Sequence, residues 1–167
     1  MKDNLQQDLF IKRLMKILAF EEGVRRHPYD DANGKPIKAP IGRTTIGIGR
    51  NLETNPLSDD EIEFLLNNDI ARALEYAWYI FGHQFKNFHS ARQIAIVAMI
   101  FQLGENGFLK FKETIRYIIQ ENWTKAASEC LDSKWAQEDS PARAERTSFM
   151  IKNAEYPLNY QNLFNKC

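Results

Sequence analysis

The sequence predicts an α+β fold that is mostly helical, with a small β-containing lobe joined by one long helix to a helical lobe. Three observations carry this. Apolar residues recur at helical spacing in residues 1–23 and again through 82–167. Residues 24–50 lose that period and carry Asn33-Gly34, Pro36 and Pro40, which are turn and breaker signals. Residues 59–81 then keep the helical period for about six turns, long enough to connect the two regions. The chain's 167 residues suit one domain. Its expected parts are a small lobe at about 24–58, a connecting helix at about 59–81, and a helical lobe from 1–23 plus 82–167.

Each element has a local reason. Leu5, Leu9, Leu14, Ile17 and Leu18 share one face of a first helix that Gly23 ends. Thr44 to Ile48 alternates weakly and predicts a short strand, within a twisted hairpin or three-stranded sheet. Ser58 and Glu61 form a capping box, with Leu57 and Ile62 as its hydrophobic staple. The helix they open carries Ile62, Leu65, Leu66, Ile70, Ala73, Leu74, Ala77, Trp78 and Phe81, and Gly82 stops it. Ser90 with Gln93 reads as a second capping box. Nearly every residue from Ile94 to Leu103 is apolar, which predicts the buried central helix, broken at Gly104 to Gly107. Shorter helices follow at Lys112 to Gln120 and Thr124 to Leu131. Ser140-Pro141 starts another, with Ser as cap and Pro in the first helical position.

Lys plus Arg and Asp plus Glu balance at 22 each, but the charge is uneven. Residues 23–50 are basic, with Arg25, Arg26, Lys35, Lys38, Arg43 and Arg50, whereas residues 51–75 are acidic. Such a dipole can attract an anionic polymer to one face, and equally describes two solvated surfaces. Cys130 and Cys167 make no disulfide framework and fit a reduced, cytosolic history. Lys12, Arg13 and Lys16 interrupt the N-terminal stretch too often for a signal peptide or a membrane span. His27, His83 and His89 lack metal-ligand spacing, so no metal is expected. Cys130 is expected as a buried small hydrophobe, and Lys110 and Lys112 as solvated. Trp78, Trp123 and Trp135 are expected to pack in or against the core rather than stack on sugars.

Chemistry concentrates between Phe20 and Arg50. Hydrolysis of a glycosidic bond needs a proton for the leaving oxygen and a base or nucleophile on the other side of the sugar. Two carboxyl groups in unlike environments supply both. Glu22 closes the first helix and Asp31 follows nine positions on, within reach across a cleft. Alone, such a pair equally describes surface acids. Gly47 and Gly49 alternate along the expected strand, where missing side chains admit a ligand, and Thr45 offers a hydroxyl from the same element. The pattern lacks the third glycine and the Lys-Ser/Thr of a phosphate cradle.

Glu22-Gly23, Tyr29-x-Asp31 and Thr45-Ile-Gly-Ile-Gly49 resemble the signature of the T-even phage-type lysozymes, glycoside hydrolase family 24. Phe101-Gln102-Leu103-Gly104-Glu105-x-Gly107, Ser133-Lys134-Trp135 and Arg143-Ala144-x-Arg146 extend the likeness over most of residues 10–152, in the family's order. The resemblance implies a lysozyme fold and a muramidase that lyses a bacterial host as a phage endolysin. It implies Glu22 as catalytic acid, Asp31 as second carboxylate, Thr45 as the residue that helps place the attacking water, and Arg143 as a cation near the acid. Phe101, Gln102 and Gly104 match positions lining the sugar cleft. The family's inverting course would make Asp31 a base for water; a retaining course stays open from sequence. The resemblance further implies no cofactor, bacterial peptidoglycan as partner, no nucleic acid, no stable membrane insertion and a monomer. The enzyme would accumulate in the host cytoplasm and reach the wall through a holin-type lesion.

The chain departs from the T-even pattern in its small lobe. The segment from Asp31 to Thr45 is longer, through Lys35 to Pro40, and that from Gly49 to Ser58 is shorter. Arg50 stands where the T-even enzyme has a histidine, and Asp69 is its expected ion-pair partner. Glu21 and Asp30, neighbours of the two catalytic candidates, are expected to be solvated.

Overall fold

The computed structural model describes residues 2–29, 35–37 and 44–165, with side chains from Gln6 onward. Asp30, Asp31, the Asn33-Gly34 turn, Lys38, Pro40, Arg43 and Cys167 lie outside the described residues. The described chain is mostly helical with one small antiparallel sheet, as predicted.

Helix α1 spans Lys2–Glu22. Two short strands follow, β1 (Thr45–Ile46) and β2 (Arg50–Asn51), with Thr45 opposite Asn51. An isolated antiparallel bridge between Tyr29 and Pro36 adds to them. The sequence placed Gly47 and Gly49 on a strand; they occupy the turn between β1 and β2 instead. Both have positive φ, 54° and 78°, and a Cβ built at either meets nothing within 4 Å. The turn therefore requires glycine for its backbone, with no close approach behind the choice.

Helix α2 (Asp59–Phe81) is the long helix expected there, and the longest among the described residues. Its capping box forms in full: Ser58 accepts from the Glu61 amide, and Glu61 accepts from the Ser58 amide at 2.9 Å. Gly82 closes it at φ 55°, its N–H reaching the Trp78 carbonyl at 2.8 Å. A single turn of helix, α3 (Gln84–Asn87), leads into α4 (Ser90–Phe108).

Helix α4 is the centre of the fold. Ile94 to Ile100 are all buried, and the helix packs on α2 and on α7 (Pro141–Asn153). Each fully buried Ile, Val or Met side chain among them contributes about 1.5–3 kcal/mol. The expected cap at Ser90 is not used. His89 caps α4 through Nδ1, which accepts from the Ala91 amide at 3.3 Å. That shift by one residue leaves the Ser90 hydroxyl to Tyr156 and turns Gln93 toward the Phe85 carbonyl. Gly104 does not end the helix but kinks it, at φ 66° and ψ 170°, and one further turn follows. Only glycine adopts that backbone readily.

Helices α5 (Lys112–Ile119) and α6 (Trp123–Leu131) pack together, and α6 lies along α7. A five-residue π-turn at Trp135–Asp139 precedes α7, closed by the Ser140 amide on the Trp135 carbonyl at 2.7 Å. Pro141 holds the first position of α7 as expected, but Ser140 makes no side-chain cap there. Its hydroxyl faces Gln102 instead. Helix α8 (Leu158–Phe164) is the last described element and packs on α1.

The three tryptophans pack on protein neighbours. Trp135 is buried, Trp123 stacks edge-on with Phe88 under Arg92, and the half-exposed Trp78 meets Phe85. Cys130 is buried, and Lys110 and Lys112 are exposed. Among the described residues, no single helix is long and apolar enough to cross a membrane.

Candidate active site

Helix α1 ends where its sequence says it should. Gly23 takes φ 74°, and its amide returns to the Ala19 carbonyl at 3.1 Å. Glu22 is thereby the last helical residue, preceded by Glu21. Two acids in the final turn oppose the helix dipole, which favours cations there. Helix α7 supplies the compensation. Arg143 and Arg146, three residues apart on one face of α7, take one carboxylate each.

Arg143 donates to Glu22 at 2.5 Å and to the Ala98 carbonyl of α4 at 3.2 Å. The arginine side chain is 6% exposed and that of Glu22 is 39% exposed. The cation is fixed from within while the carboxyl group remains open to a ligand. Arg143 thus sits beside the candidate acid, where the motif match puts it.

Glu21 is not solvated, contrary to the sequence reading. Its side chain is 6% exposed. It accepts two N–H bonds from Arg146, at 2.7 and 2.8 Å, and the Tyr160 hydroxyl. Bonding to Glu21 raises the already high proton affinity of Arg146. Burial, reinforced by the Glu21 carboxylate, pushes the Tyr160 phenol well above its usual range, so it remains a donor. The signal was present in the sequence as paired acids at a helix C-terminus; their partners lie over a hundred positions away.

Glu22 opens onto a cavity of about 250 Å³. Leu18, Val24, Tyr29, Leu65, Asp69 and Phe101 are among the residues that share its wall. Asp69 and Phe101 also border an adjoining cavity of about 290 Å³ that reaches Arg72, Gly104 and Glu105. Glu22 and Phe101 line the first cavity and Phe101 and Gly104 the second, so Phe101 is common to both. Gly104, where α4 kinks, borders the second cavity.

Gln102 is placed differently. Its Nε2 donates to Ser140 at 3.0 Å, and its Oε1 accepts the Trp135 indole N–H at 3.1 Å. The amide thus bridges α4 to the π-turn and is absent from the walls of both cavities. Thr45 opens β1 and is exposed. Asp31 lies outside the described residues.

Asp69 pairs with Arg72 on its own helix, not with Arg50. Arg50 turns to the start of α2, where it meets Glu61, the Asn55 carbonyl at 3.0 Å and the Pro56 carbonyl at 2.5 Å. The short β2–α2 connection explains this: Arg50 reaches the cap of α2 before it can reach a residue two turns further along.

The family model described as phage lysozyme matches residues 19–146. A probable T4-type lysozyme 2 of Dictyostelium discoideum is 25% identical over 159 residues, covering 81% of this chain and 91% of that protein. A probable T4-type lysozyme 1 of the same organism is 35% identical over 68 residues, 41% of this chain and 39% of the relative's length. The pre-baseplate central spike protein Gp5 of Enterobacteria phage T4 is 26% identical over 165 residues, 83% of this chain but 27% of its own length. The family match takes in Glu22, Thr45, Gly104 and Arg143 alike, and the chain belongs to the phage lysozyme family, a family of glycoside hydrolases.

Proposed function

We propose that this chain is an endolysin that hydrolyses the β-1,4 bond between N-acetylmuramic acid and N-acetylglucosamine in peptidoglycan. The observation that carries the reading is Glu22: a carboxyl group anchored by a buried arginine, yet open to a groove with partly apolar walls. Glu22 gives its proton to the glycosidic oxygen as the bond from the anomeric carbon to that oxygen breaks. Water attacks the same carbon, and Asp31 takes the proton that water releases. Thr45 helps to place that water. Arg143 stabilises the Glu22 carboxylate left behind. Phe101 and Gly104 line the sugar cleft, and Gln102 supports its wall from behind. Two carboxyl groups and water complete the chemistry, so no cofactor takes part.

The cleft lies between a small lobe at 24–58 and the helical body, and α2 allows the lobes to close on substrate. The enzyme acts as a monomer. It accumulates in the host cytoplasm and reaches the wall through a holin-type lesion. Basic residues Arg25, Arg26, Lys35 and Lys38 favour approach to the anionic wall.

Product analysis of digested peptidoglycan tests this. Wild type should release reducing N-acetylmuramic acid ends. Anhydro-muramic ends would instead mark a lytic transglycosylase, which needs Glu22 and not Asp31. Glu22→Gln should clear permeabilised cells about 10²- to 10⁴-fold more slowly. Clearing at the wild-type rate would show that Glu22 is not the acid.

A further inference from the structure

We infer that Glu21, clamped by Arg146 and Tyr160, is a positioning residue that holds Glu22 in place while Glu22 carries its proton. The inference rests on the reading of Glu22 as general acid. The end of α1 is latched to α7 twice, through consecutive residues: Glu22 on Arg143 and Glu21 on Arg146. The two latches differ in one respect that matters to the reaction. The general acid must be neutral when the sugar binds. A neutral carboxyl group accepts a far weaker bond from a guanidinium than a carboxylate does. The Glu22–Arg143 latch therefore loosens in the very form that catalysis uses.

The second latch has no such weakness. Glu21 is shielded from solvent and takes no proton in the reaction. Three donors converge on it, two from the Arg146 fork at 2.7 and 2.8 Å and one from Tyr160. Arg146 in turn lies against both the Phe20 and Tyr160 rings, which meet edge to face, with its carbon 5.5 and 5.8 Å from their centroids. Phe20 precedes the pair, so three consecutive residues, Phe20, Glu21 and Glu22, all report to α7 or α8. The peptide that carries Glu22 is thus fixed by its neighbour. A misplacement of about 1 Å in a reacting group can cost a hundredfold in rate.

The test is steady-state kinetics on soluble glycan strands from peptidoglycan, run well below the unfolding temperature of each variant. Glu21→Gln should lower kcat about ten- to a hundredfold and leave KM within about twofold, because substrate contacts are untouched. Tyr160→Phe keeps the ion pair and removes one donor, so it should show a smaller loss with the same split. Ile118→Ala, a core truncation in α5, should destabilise the fold while kcat of the folded enzyme stays at the wild-type value. If Glu21→Gln does not fold, Tyr160→Phe alone decides. Wild-type kcat in Tyr160→Phe, or a kcat loss in Ile118→Ala as large as its own, overturns the inference. The outcome is separable from the parent reading: an active Glu22→Gln refutes that reading, whereas an inactive Glu22→Gln beside wild-type kcat in both latch variants refutes only this one.

Discussion

Arg143 joins Glu22 to the Ala98 carbonyl with a single guanidinium, at 2.5 and 3.2 Å, so one buried cation sets the distance between the end of α1 and the middle of α4. An ammonium group is a point donor and cannot span both acceptors in that fork geometry. Arg143→Lys keeps the charge but loses the bridge, so it should lower kcat/KM by about ten- to a hundredfold, less than the roughly 10²–10³ that follows removal of a fixed donor outright. Release of dye from labelled cell walls measures it. Activity within twofold of wild type would show that charge alone, without the bridge, suffices.

The Glu21–Arg146 pair is shielded on both sides, with side chains 6% and 17% exposed. Removing one partner leaves the other a charge with poor access to water, at a cost of about 3–5 kcal/mol. Glu21→Gln should lose that much in urea unfolding. Replacing both residues with methionine should recover most of it, because no lone charge remains. A double-mutant cycle of Glu21→Met, Arg146→Met and the double replacement should give a coupling energy above about 1 kcal/mol.

Glu61 makes stability depend on acid. Its carboxyl group is held below the usual 4.5, first by the Ser58 amide and then by Arg50. A group whose folded value is lowered contributes fully above its unfolded value and loses that contribution as pH falls through the folded one. The Tm difference between wild type and Glu61→Gln should thus be constant above about pH 5 and shrink as pH drops below 4.5. A difference that stays constant down to pH 2 would contradict the assignment.

Gly104 should resist substitution for a reason of backbone alone. At φ 66° and ψ 170° any L side chain is strained, although a Cβ there meets nothing within 4 Å. Gly104→Ala should cost about 1–3 kcal/mol. If the chain relieves the strain by straightening α4, the groove wall moves and KM rises. Unfolding midpoints and glycan-strand kinetics read the two effects separately.

Burial pushes the Cys130 thiol up to about 12. Alkylation requires the thiolate. At pH 8 iodoacetamide should leave Cys130 unmodified in the native enzyme and label it once urea unfolds the chain, which peptide mass spectrometry resolves.

Local signals read correctly where both partners lie within a few residues. Ser58 with Glu61, Gly82 after Phe81, and Gly23 after Glu22 were each visible as short patterns and form as expected. The run from Ile94 to Ile100 was legible because a helix apolar on all sides has only the interior to occupy. What escaped were choices among competing partners. Ser90 and His89 could each cap α4, and Tyr156, sixty-six positions on, takes the serine. Arg50 had Asp69 and Glu61 within reach, and the length of one connection decided between them. Glu21 looked like a surface acid because nothing near it in sequence names Arg146 and Tyr160. At the site, the register of the family motif located Glu22 and Arg143 together. The same motif does not distinguish Gln102, turned toward Trp135, from Phe101, turned to the groove.

Glu61 caps α2 and at the same time grips Arg50 of β2. A single carboxylate thereby rivets the hairpin to the first turn of the longest helix. Anyone grafting a different hairpin onto this scaffold must transplant residues 50 and 61 as a set. Kept together, they hold β2 on α2 while the glycine turn is left as it is; split apart, they detach Thr45's strand and fray the helix in one stroke.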